Sequence, residues 1–426
     1  MMKNWSRIAL ASVLVLMLGA VVANATTSRV RSLANVGDYI SDDSAVHRWY
    51  STLVSFANQV NAEMGDWTST SLTDSRGLGW NFAAGEDGKW GTYRVTLNEA
   101  SLNDPGFWIG NPFYQVHGPA EIFIGDLDAP YNDVPMNRWD IAGAWELGET
   151  FALGVSITES KWFVEDTAAA FESDNSWLVF GAGLTWTNNE NMVLDVLFNF
   201  GNAGGSTTTG PVTLEWDSGT AFEIGARMFY DWKDDITVVP VFDFASSEYS
   251  LQSSPVALAE PNGQKTTDFM LGVGLNMDVN QDNMLVFALE WMNRKSELAN
   301  PDTTAANLME VTQNTLPTIR LALESHITSW LTTRIGAAKY IGSVKSETNG
   351  GDEVKVSPGH PLPYPQPSGF DWFLGAGFNF AEWTVDMELA HETPFGLGYW
   401  LTGYADAWSD GSGHGPVARI SAVYNY

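Results

Sequence analysis

Hydrophobic and polar residues alternate with a period of two along most of the chain after residue 50. In 267–279, one face carries Phe269, Leu271, Val273, Leu275 and Met277, and the other carries small or polar residues such as Asp268, Gly272 and Asn276. The same pattern recurs in 192–200, 222–230 and 370–380. Successive side chains of a strand point to opposite faces, so the pattern predicts many strands with one greasy face each.

A membrane barrel and a soluble sandwich both show this alternation. The predicted strands reach about 10 residues, as a tilted membrane-spanning strand requires, whereas strands of globular proteins are usually about 5–6 residues long. Tryptophans cluster at the strand ends, where the aromatic girdles of membrane barrels lie. They include Trp145, Trp186, Trp232, Trp330 and Trp383. These features favour an all-β, antiparallel transmembrane barrel.

Connections between the strands alternate between short and long, as in outer-membrane barrels. Short turns fall at 86–88, 148–149, 188–190, 233–234, 280–282, 328–329 and 381–382. Long polar segments fall at 65–76, 98–137, 159–176, 201–219, 246–266, 296–314, 346–368 and 392–415. These seven turns and eight loops predict about 16 strands. Counts of 14 or 18 stay open, because 120–126 either adds a strand or belongs to a loop, and the first strand, 54–64, alternates poorly.

The N-terminus has the form of a secretory leader. Lys3 and Arg7 precede an apolar run of about 15 residues that ends in Ala23-Asn24-Ala25, which is short for a spanning helix. We therefore predict a cleaved signal peptide at 1–25 and a mature chain beginning at Thr26. The formal charge is −30, and loss of the leader makes it −32.

The C-terminus predicts a last strand from 417 to 426 that ends in an aromatic residue. Ala418, Ile420, Ala422, Tyr424 and Tyr426 share its greasy face. Such an ending resembles the signal that bacterial barrel-assembly machinery reads, with Tyr in place of the commoner Phe. The sequence thus predicts a bacterial outer-membrane protein whose partners are membrane lipid and this machinery.

Charge is the main clue to what the interior does. Lys plus Arg number 21 against 51 Asp plus Glu, a balance that repels nucleic acid. The polar strand faces predict a lumen lined by Arg94, Asp140, Glu146, Asp195, Glu223, Arg227, Asp243, Asp268, Asp278, Glu290, Arg320, Glu324, Arg334, Asp371, Asp386, Glu388 and Arg419. Twelve acidic against five basic residues predict a cation preference for an open pore, unless the charges pair across neighbouring strands.

Between the predicted leader and the first strand, 26–53 forms a separate segment. Asp42, Asp43, Ser44 and Ala45 share the small, polar character of the N-terminal segment in the long-chain fatty-acid transporter family. The segment therefore resembles that family, although its N-P-A motif is absent. The resemblance implies a plug inside a barrel that spans 54–426, with Asp38, Asp42, Asp43 and Ser44 as plug residues, and a small apolar cargo. A periplasmic tail is the other interpretation.

The chain offers little support for catalysis. There is no cysteine, and the six histidines lack metal-ligand spacing. Acidic stretches at 126–128 and 406–413 lack the spacing of a calcium loop. We therefore expect no enzyme activity, no cofactor and no metal site, and calcium binding by the two acidic stretches stays open. Three functions stay open: a porin-like channel for small solutes with a cation bias, a plugged barrel that takes up a hydrophobic molecule, and a non-conducting scaffold for surface adhesion or assembly.

Overall fold

The computed structural model describes eleven stretches of the chain. They are 26–65, 75–85, 88–100, 136–167, 170–188, 191–254, 263–299, 308–348, 353–356, 370–389 and 417–426. The predicted leader, the segment 120–126, the acidic stretches 126–128 and 406–413, and His117, His360, His391 and His414 lie outside these stretches.

Three short helices come first. Helix α1 spans Thr27–Ser32, and two 3-10 helices span Asp43–His47 and Tyr50–Ser55. No helix within the described stretches is long and apolar enough to cross a membrane.

The rest of the described chain is a single antiparallel sheet. Its strands are β1 (Gln59–Gly65), β2 (Ser75–Ala83), β3 (Thr92–Ala100), β4 (Met136–Leu147), β5 (Phe151–Asp166), β6 (Phe171–Asn188), β7 (Met192–Thr209), β8 (Val212–Lys233), β9 (Ile236–Ser254), β10 (Gly263–Asn280), β11 (Asn283–Ala299), β12 (Leu308–Thr328), β13 (Leu331–Thr348), β14 (Glu353–Val356), β15 (Phe370–Phe380), β16 (Trp383–Leu389) and β17 (Val417–Asn425). Each strand pairs with the next along the chain, apart from β14 and β15.

The sheet closes on itself between its first and last strands. β1 pairs with β17 from Gln59↔Asn425 to Gly65↔Arg419, and its other edge pairs with β2. The short strand β14 lies outside the ring, because β13 pairs with β14 near its end and with β15 along the rest of its length. Sixteen strands therefore close the barrel, which confirms the predicted fold class and strand count.

The two faces of the sheet differ as the alternation predicts. Large apolar side chains are exposed on the outer face, among them Leu78, Leu97, Ile141, Phe180, Phe198, Ile224, Leu271, Val273, Leu289, Leu321 and Ile335. Aromatic side chains near the short turns contact one another across strands, as in the Trp80–Phe82, Phe82–Tyr93 and Tyr93–Trp145 pairs. An apolar outer band with an aromatic edge is the exterior that a lipid-facing barrel requires.

Several predicted long loops are in large part strand. In 201–219, β7 and β8 run on to a turn at Gly210 and Pro211, where Thr209 pairs with Val212. β5, β6, β9 and β10 likewise extend into 159–176 and 246–266. The sequence hid these extensions because both of their faces are rich in Ser, Thr, Gly and charged residues. Hydrogen bonding between strands continues there although the alternation does not.

The first strand begins later than the sequence predicts. Tyr50–Ser55 is a 3-10 helix, and β1 starts at Gln59. The apolar residues Leu53 and Val54 pack inside the barrel on the last helix instead of forming a strand face. This placement explains the poor alternation of 54–64.

Candidate functional site

Residues 26–56, which we call the lumenal segment, lie inside the ring of strands. Helix α1 contacts β13, β15, β16 and β17, whereas the second 3-10 helix contacts β3, β4, β5 and β6. These strands stand on different sides of the barrel, so a segment that touches both groups runs across the interior. Most of its side chains are buried.

Local hydrogen bonds shape the segment. The Thr26 side chain accepts a hydrogen bond from the Arg29 amide and caps α1, and Asp42 caps the first 3-10 helix through the amide of Ala45. Thr and Asp are favoured caps because their side-chain oxygens satisfy amides that lack a partner within the helix. Between these helices, Ala34 and Asn35 have positive φ angles of 58° and 57° and lie in a turn.

Apolar side chains of the segment pack on one side of the inner wall. Val30, Leu33, Val36, Tyr39 and Ile40 form one buried cluster with wall residues from β9, β11 and β12. Those wall residues are Val239, Val241, Val286, Ala288 and Ala322. An apolar inner wall is unfavourable in a water-filled channel, so this patch fits an occupied lumen.

Arg48 makes the densest ionic contact between the segment and the wall. Its guanidinium donates to Asp38 of the segment at 2.8 Å and to Glu223 of β8 at 2.8 Å, and it also pairs with Asp243 of β9. Its side chain is 5% exposed and that of Glu223 is fully buried. Charges this deeply buried need such partners, because an unpaired one is costly to remove from water.

A second ionic chain anchors helix α1. Arg29 binds both carboxylate oxygens of Glu324 on β12, at 2.7 and 2.8 Å. Arg334 of β13 donates to the same Glu324 and to Asp386 of β16, each at 2.6 Å. The Asp386 carboxylate in turn accepts from the Thr26 hydroxyl at 2.9 Å. Arg31 pairs with Glu388 at 3.1 Å, next to this chain.

Wall side chains also hold the backbone of the segment. Arg227 donates to the carbonyls of Gly37 and Ile40, and Arg320 donates to the carbonyl of Ala34 at 2.7 Å. Asn276 donates to the carbonyl of Tyr39. These bonds satisfy buried carbonyl groups outside regular helix or strand.

Glycines on the wall leave room for the segment. A Cβ at Gly336 would lie 2.6 Å from the Ala34 nitrogen, and one at Gly154 would overlap the backbone of Tyr50 and Ser51. Gly272 and Gly274 make similar room for the Tyr39 ring. The absence of a side chain at these inward positions therefore permits close backbone packing.

The predicted lumen residues lie on the inward side of the wall, and most of them meet the segment or one another. Their main pairs across strands are Arg227–Asp195, Arg320–Glu290, Arg334–Glu324, Arg334–Asp386 and Arg419–Glu388. Glu223, Asp243, Glu324, Asp386 and Glu388 contact the segment, Arg94 contacts His47, and Asp140 binds Arg138. Asp268 pairs with Arg294, Asp371 is partly buried, and Glu146 and Asp278 are exposed near the turns. The pairing across strands is the alternative that the sequence left open.

Several of the cations that pair with these carboxylates were not predicted from the sequence. Arg138 and Arg294 follow the same alternation as Asp140 and Glu290, so their inward position was readable from the sequence. Arg29, Arg31 and Arg48 lie on the lumenal segment, where no strand pattern applies. The excess of acidic residues on the wall was the available signal, because buried carboxylates require partners.

The four predicted plug residues occupy different positions within the segment. Asp38 pairs with Arg48 and accepts a hydrogen bond from Trp49, and Asp42 caps a helix and accepts from Ser44. Asp43 and Ser44 line a small polar pocket between the segment and the seam of β1 and β17. The pocket is also lined by Thr26, His47, Asn61, Glu63 and Ser421.

Two titratable groups in this pocket have pKa values that are strongly shifted from their ordinary values. Burial, together with the charges of Asp42 and Asp386, raises the pKa of the Asp43 carboxyl well above its ordinary value. Burial and the positive charges of Arg94 and Arg138 lower the pKa of the His47 imidazole well below its ordinary value. Across the described stretches, no group of three or more acidic, His or Cys side chains is placed to hold a metal ion.

No family model matches the chain, and no curated protein matches it. Among solved structures, it is similar to the alcaligin outer membrane receptor FauA of Bordetella pertussis. Identity is 9%, coverage is 78% of this chain and 67% of that one, and the TM-score is 0.41. The copper transporter OprC is similar at 12% identity, 78% and 60% coverage and a TM-score of 0.40.

CdiB of Escherichia coli is similar at 10% identity, 86% and 62% coverage and a TM-score of 0.43. The chain thus spans about 60–67% of the length of these proteins. At such identities and TM-scores, the likeness assigns neither a family nor a function.

Proposed function

We propose that this protein is an outer-membrane transporter whose barrel is closed at rest by the lumenal segment and carries a small molecule when that segment moves. The observation that carries the proposal is the position of residues 26–56 in the barrel interior, bound to the wall on several sides. The closed antiparallel ring and its apolar outer band support a location in a lipid bilayer.

The way in which the segment is held favours a movable closure. Helices and turns bind the wall through side chains, and no strand of the segment joins the sheet within residues 26–56. Release of the segment would therefore leave every pair of neighbouring barrel strands intact. On release, the charged groups that pair between the segment and the wall would become hydrated. A ligand or partner protein that binds the released state better than the docked state would therefore favour release.

The residues of the inner wall favour a cargo that has an apolar part. Movement of the segment would uncover the patch of Val239, Val241, Val286, Ala288 and Ala322, against which Phe229, Met270 and Met284 also pack. Binding pockets for small molecules commonly combine such an apolar lining with a few charged groups. The hydrophobic cargo that the sequence resemblance to the fatty-acid transporter family implies stays a prediction.

The charges that line the barrel without the lumenal segment favour a second function, which is passive passage of small solutes with a preference for cations. Without residues 26–56, the wall loses the three cations Arg29, Arg31 and Arg48, and carboxylates such as Glu223, Asp243 and Glu324 lose partners. The excess of negative charge would favour cations. The cation-biased channel of the sequence prediction is thus the expected property of the open state.

Swelling of proteoliposomes tests the proposal. Liposomes that contain the chain from Thr26 onward should exclude sucrose, lysine and glutamate, whereas the chain that lacks 26–56 should admit all three, with lysine faster than glutamate. Free entry through the full chain would contradict closure by the segment. Exclusion by both chains, once each is shown to be a folded barrel, would support a scaffold instead of a transporter.

A further inference from the structure

Three donors on the inner wall bind the peptide backbone of the lumenal segment. Arg320 and Asn276 each donate a hydrogen bond to one backbone carbonyl, and Arg227 donates from its Nη1 atom to two, at 3.2 and 3.3 Å. The accepting groups are the carbonyls of Ala34, Gly37, Tyr39 and Ile40. Because every peptide carries such carbonyls, these contacts do not depend on the side chains of the segment.

These donors border the apolar patch that the segment covers. In the strand register, each donor lies opposite one residue of the patch, in the pairs Arg227–Val241, Asn276–Val286 and Arg320–Ala288. Gly272 and Gly274 lie on the same part of the wall and leave room for the ring of Tyr39. The wall therefore offers an apolar surface, space for one large side group and N–H donors at the border, which is the usual composition of a small-molecule site.

Wall carboxylates already balance the charges of the two arginines. The Nε atom of Arg227 donates to Asp195 at 2.9 Å, and that of Arg320 donates to Glu290 at 2.7 Å. Each guanidinium is thus paired within the wall and uses another N–H group for a carbonyl of the segment. A ligand carboxylate would add a negative charge beside Asp195 and Glu290, whereas an uncharged carbonyl would not, so the site favours neutral ligands.

The docked segment leaves two polar atoms at this site without a hydrogen bond. The side chain of Arg227 is fully buried, and its Nη2 atom has no hydrogen-bond partner among the described residues. The buried Oδ1 atom of Asn276, which is an acceptor, also has none within the described stretches. A ligand with one more amide group than the segment presents here would supply both an acceptor and a donor.

We propose that residues 34–40 occupy the cargo site of the barrel, and that the cargo is a small, neutral, apolar peptide. The segment is then a competitor built into the chain, and the cargo binds by taking over the wall donors and the apolar patch. This inference rests on the proposed function, because the site is uncovered only when the segment moves. It narrows a cargo with an apolar part to one that also carries several uncharged amide groups.

Displacement of the segment in the chain that begins at Thr26 gives the first test. Hydrogen exchange of the amides in 27–40 is followed in lipid nanodiscs while a probe is added. The probes are an acetylated and amidated tripeptide of alanine, phenylalanine and alanine, and the same acetylated tripeptide with a free carboxylate. We expect the capped tripeptide to accelerate exchange at a concentration about tenfold lower than the acid form requires. Equal or better displacement by the acid, or no displacement by the capped tripeptide, would overturn the proposal.

A cycle that pairs a wall substitution with a change in the ligand gives the second test. The third probe is an isostere of the capped tripeptide with ester linkages in place of its amides, which removes the N–H donors. The tripeptide should act at about fivefold lower concentration than the ester in the native chain, and this advantage should disappear in Asn276→Leu. The comparison of ratios cancels any change in how tightly the segment docks, because both probes compete with the same segment. An equal advantage in both chains would show that Asn276 does not bind the peptide.

Asn202→Leu is the matched control, because Asn202 also donates its side-chain amide to a backbone carbonyl, that of Gly219, but is exposed on the outer face of β7. It should keep the native ratio, and migration of unheated protein on gels confirms that each variant is a folded barrel. The swelling experiment tests closure separately. Failure of closure appears as sucrose entry through the full chain, whereas failure of this inference appears as the wrong probe selectivity in a chain that still excludes sucrose.

Discussion

At the scale of single residues, Arg48 shows how the barrel interior is stabilised. One guanidinium faces Asp38, Glu223 and Asp243, and its carbon centre lies 5.3 Å from the centre of the Trp49 ring. The contact joins the segment to two neighbouring strands, β8 and β9. It lies across the interior from the anchor of α1 on β16, so the two contacts together fix the position of the segment.

Removing this cation should weaken docking strongly. Arg48→Met leaves buried carboxylates without a partner, a change that typically costs about 3–5 kcal/mol. Hydrogen exchange in 27–56 should therefore accelerate, and adding Glu223→Gln should restore part of the protection. Lys161→Met is the control, because Lys161 and Asp174 form an exposed pair 3.7 Å apart, where pairs contribute about 0–1 kcal/mol. Equal effects of the two single substitutions would contradict this role of Arg48.

His47 should make docking dependent on pH. Its pKa is lowered in the docked state, so an undocked segment binds more protons below the ordinary value of about 6.5. The stability that this histidine contributes is present above that value and is lost as the pH falls below it. Asp43, Glu63, Arg94 and Arg138 also face this region, and the raised pKa of Asp43 acts in the opposite direction.

A substitution separates the histidine from these neighbours. As the pH falls from 7 to 5, protection of 27–56, corrected for intrinsic exchange rates, should decrease in the native sequence relative to His47→Gln, because only the native sequence has this titrating imidazole. An unchanged pH profile in His47→Gln would show that another group is responsible.

Single inward residues were readable from the sequence only where strand alternation applied. Asp195, Glu223 and Arg227 followed from their place in regular strands, and the structure places them on the inner face. Arg48 could not be placed in this way, because its partners Glu223 and Asp243 lie about 175 and 195 positions further along the chain. Contacts at such separation depend on the closure of the whole barrel.

At the scale of elements, the strands were predicted well near the apolar band and poorly beyond it. β10 shows the limit: its apolar alternation covers Phe269 to Met277, but the strand begins at Gly263. Hydrogen bonds to β9 and β11 hold the polar part of β10 in place. A pattern of burial cannot reveal a strand whose two faces are both polar.

The close packing of the second 3-10 helix on β5 gives a test at this scale. Gly154→Ala would place a Cβ against the backbone of Tyr50 and Ser51, which cannot move without displacing the helix. We expect faster hydrogen exchange in the helix Tyr50–Ser55 and entry of sucrose in the swelling assay. Gly204→Ala on β7 is the control, because its Cβ would meet open space. Normal exclusion of sucrose by Gly154→Ala would contradict the tight fit.

At the scale of the whole molecule, the short strand β1 both closes the barrel and faces the lumenal segment. It closes the ring by pairing with β17 and β2, and its inward residues Asn61 and Glu63 face the pocket that Thr26 lines. On the outer face, the indole of Trp80 donates to the hydroxyl of Tyr426 across this seam. Thr26 and Tyr426 therefore lie at the same seam, the first inside the barrel and the second outside.

Strand count and closure were predictable from the whole sequence, because alternation, turn spacing and an even number of strands agree. The sequence could not predict whether 26–53 enters the lumen, because a periplasmic tail and a plug have the same composition. The contacts that decide between them, such as Arg320 to the carbonyl of Ala34, join residues 286 positions apart. They exist only after the barrel has formed.

Disulfide trapping in intact outer membranes tests the central claim most directly, because the chain has no native cysteine. In Ser28→Cys with Ser421→Cys, each thiol replaces a hydroxyl, and the two hydroxyl oxygens lie 2.6 Å apart inside the barrel, so a disulfide requires only a small shift. Ser28→Cys with Ile420→Cys is the control, because residue 420 lies on the opposite, greasy face of β17. We expect nearly complete cross-linking of the first pair and background levels for the second; equal cross-linking of both pairs, or none in either, would show that the N-terminal segment does not occupy the barrel.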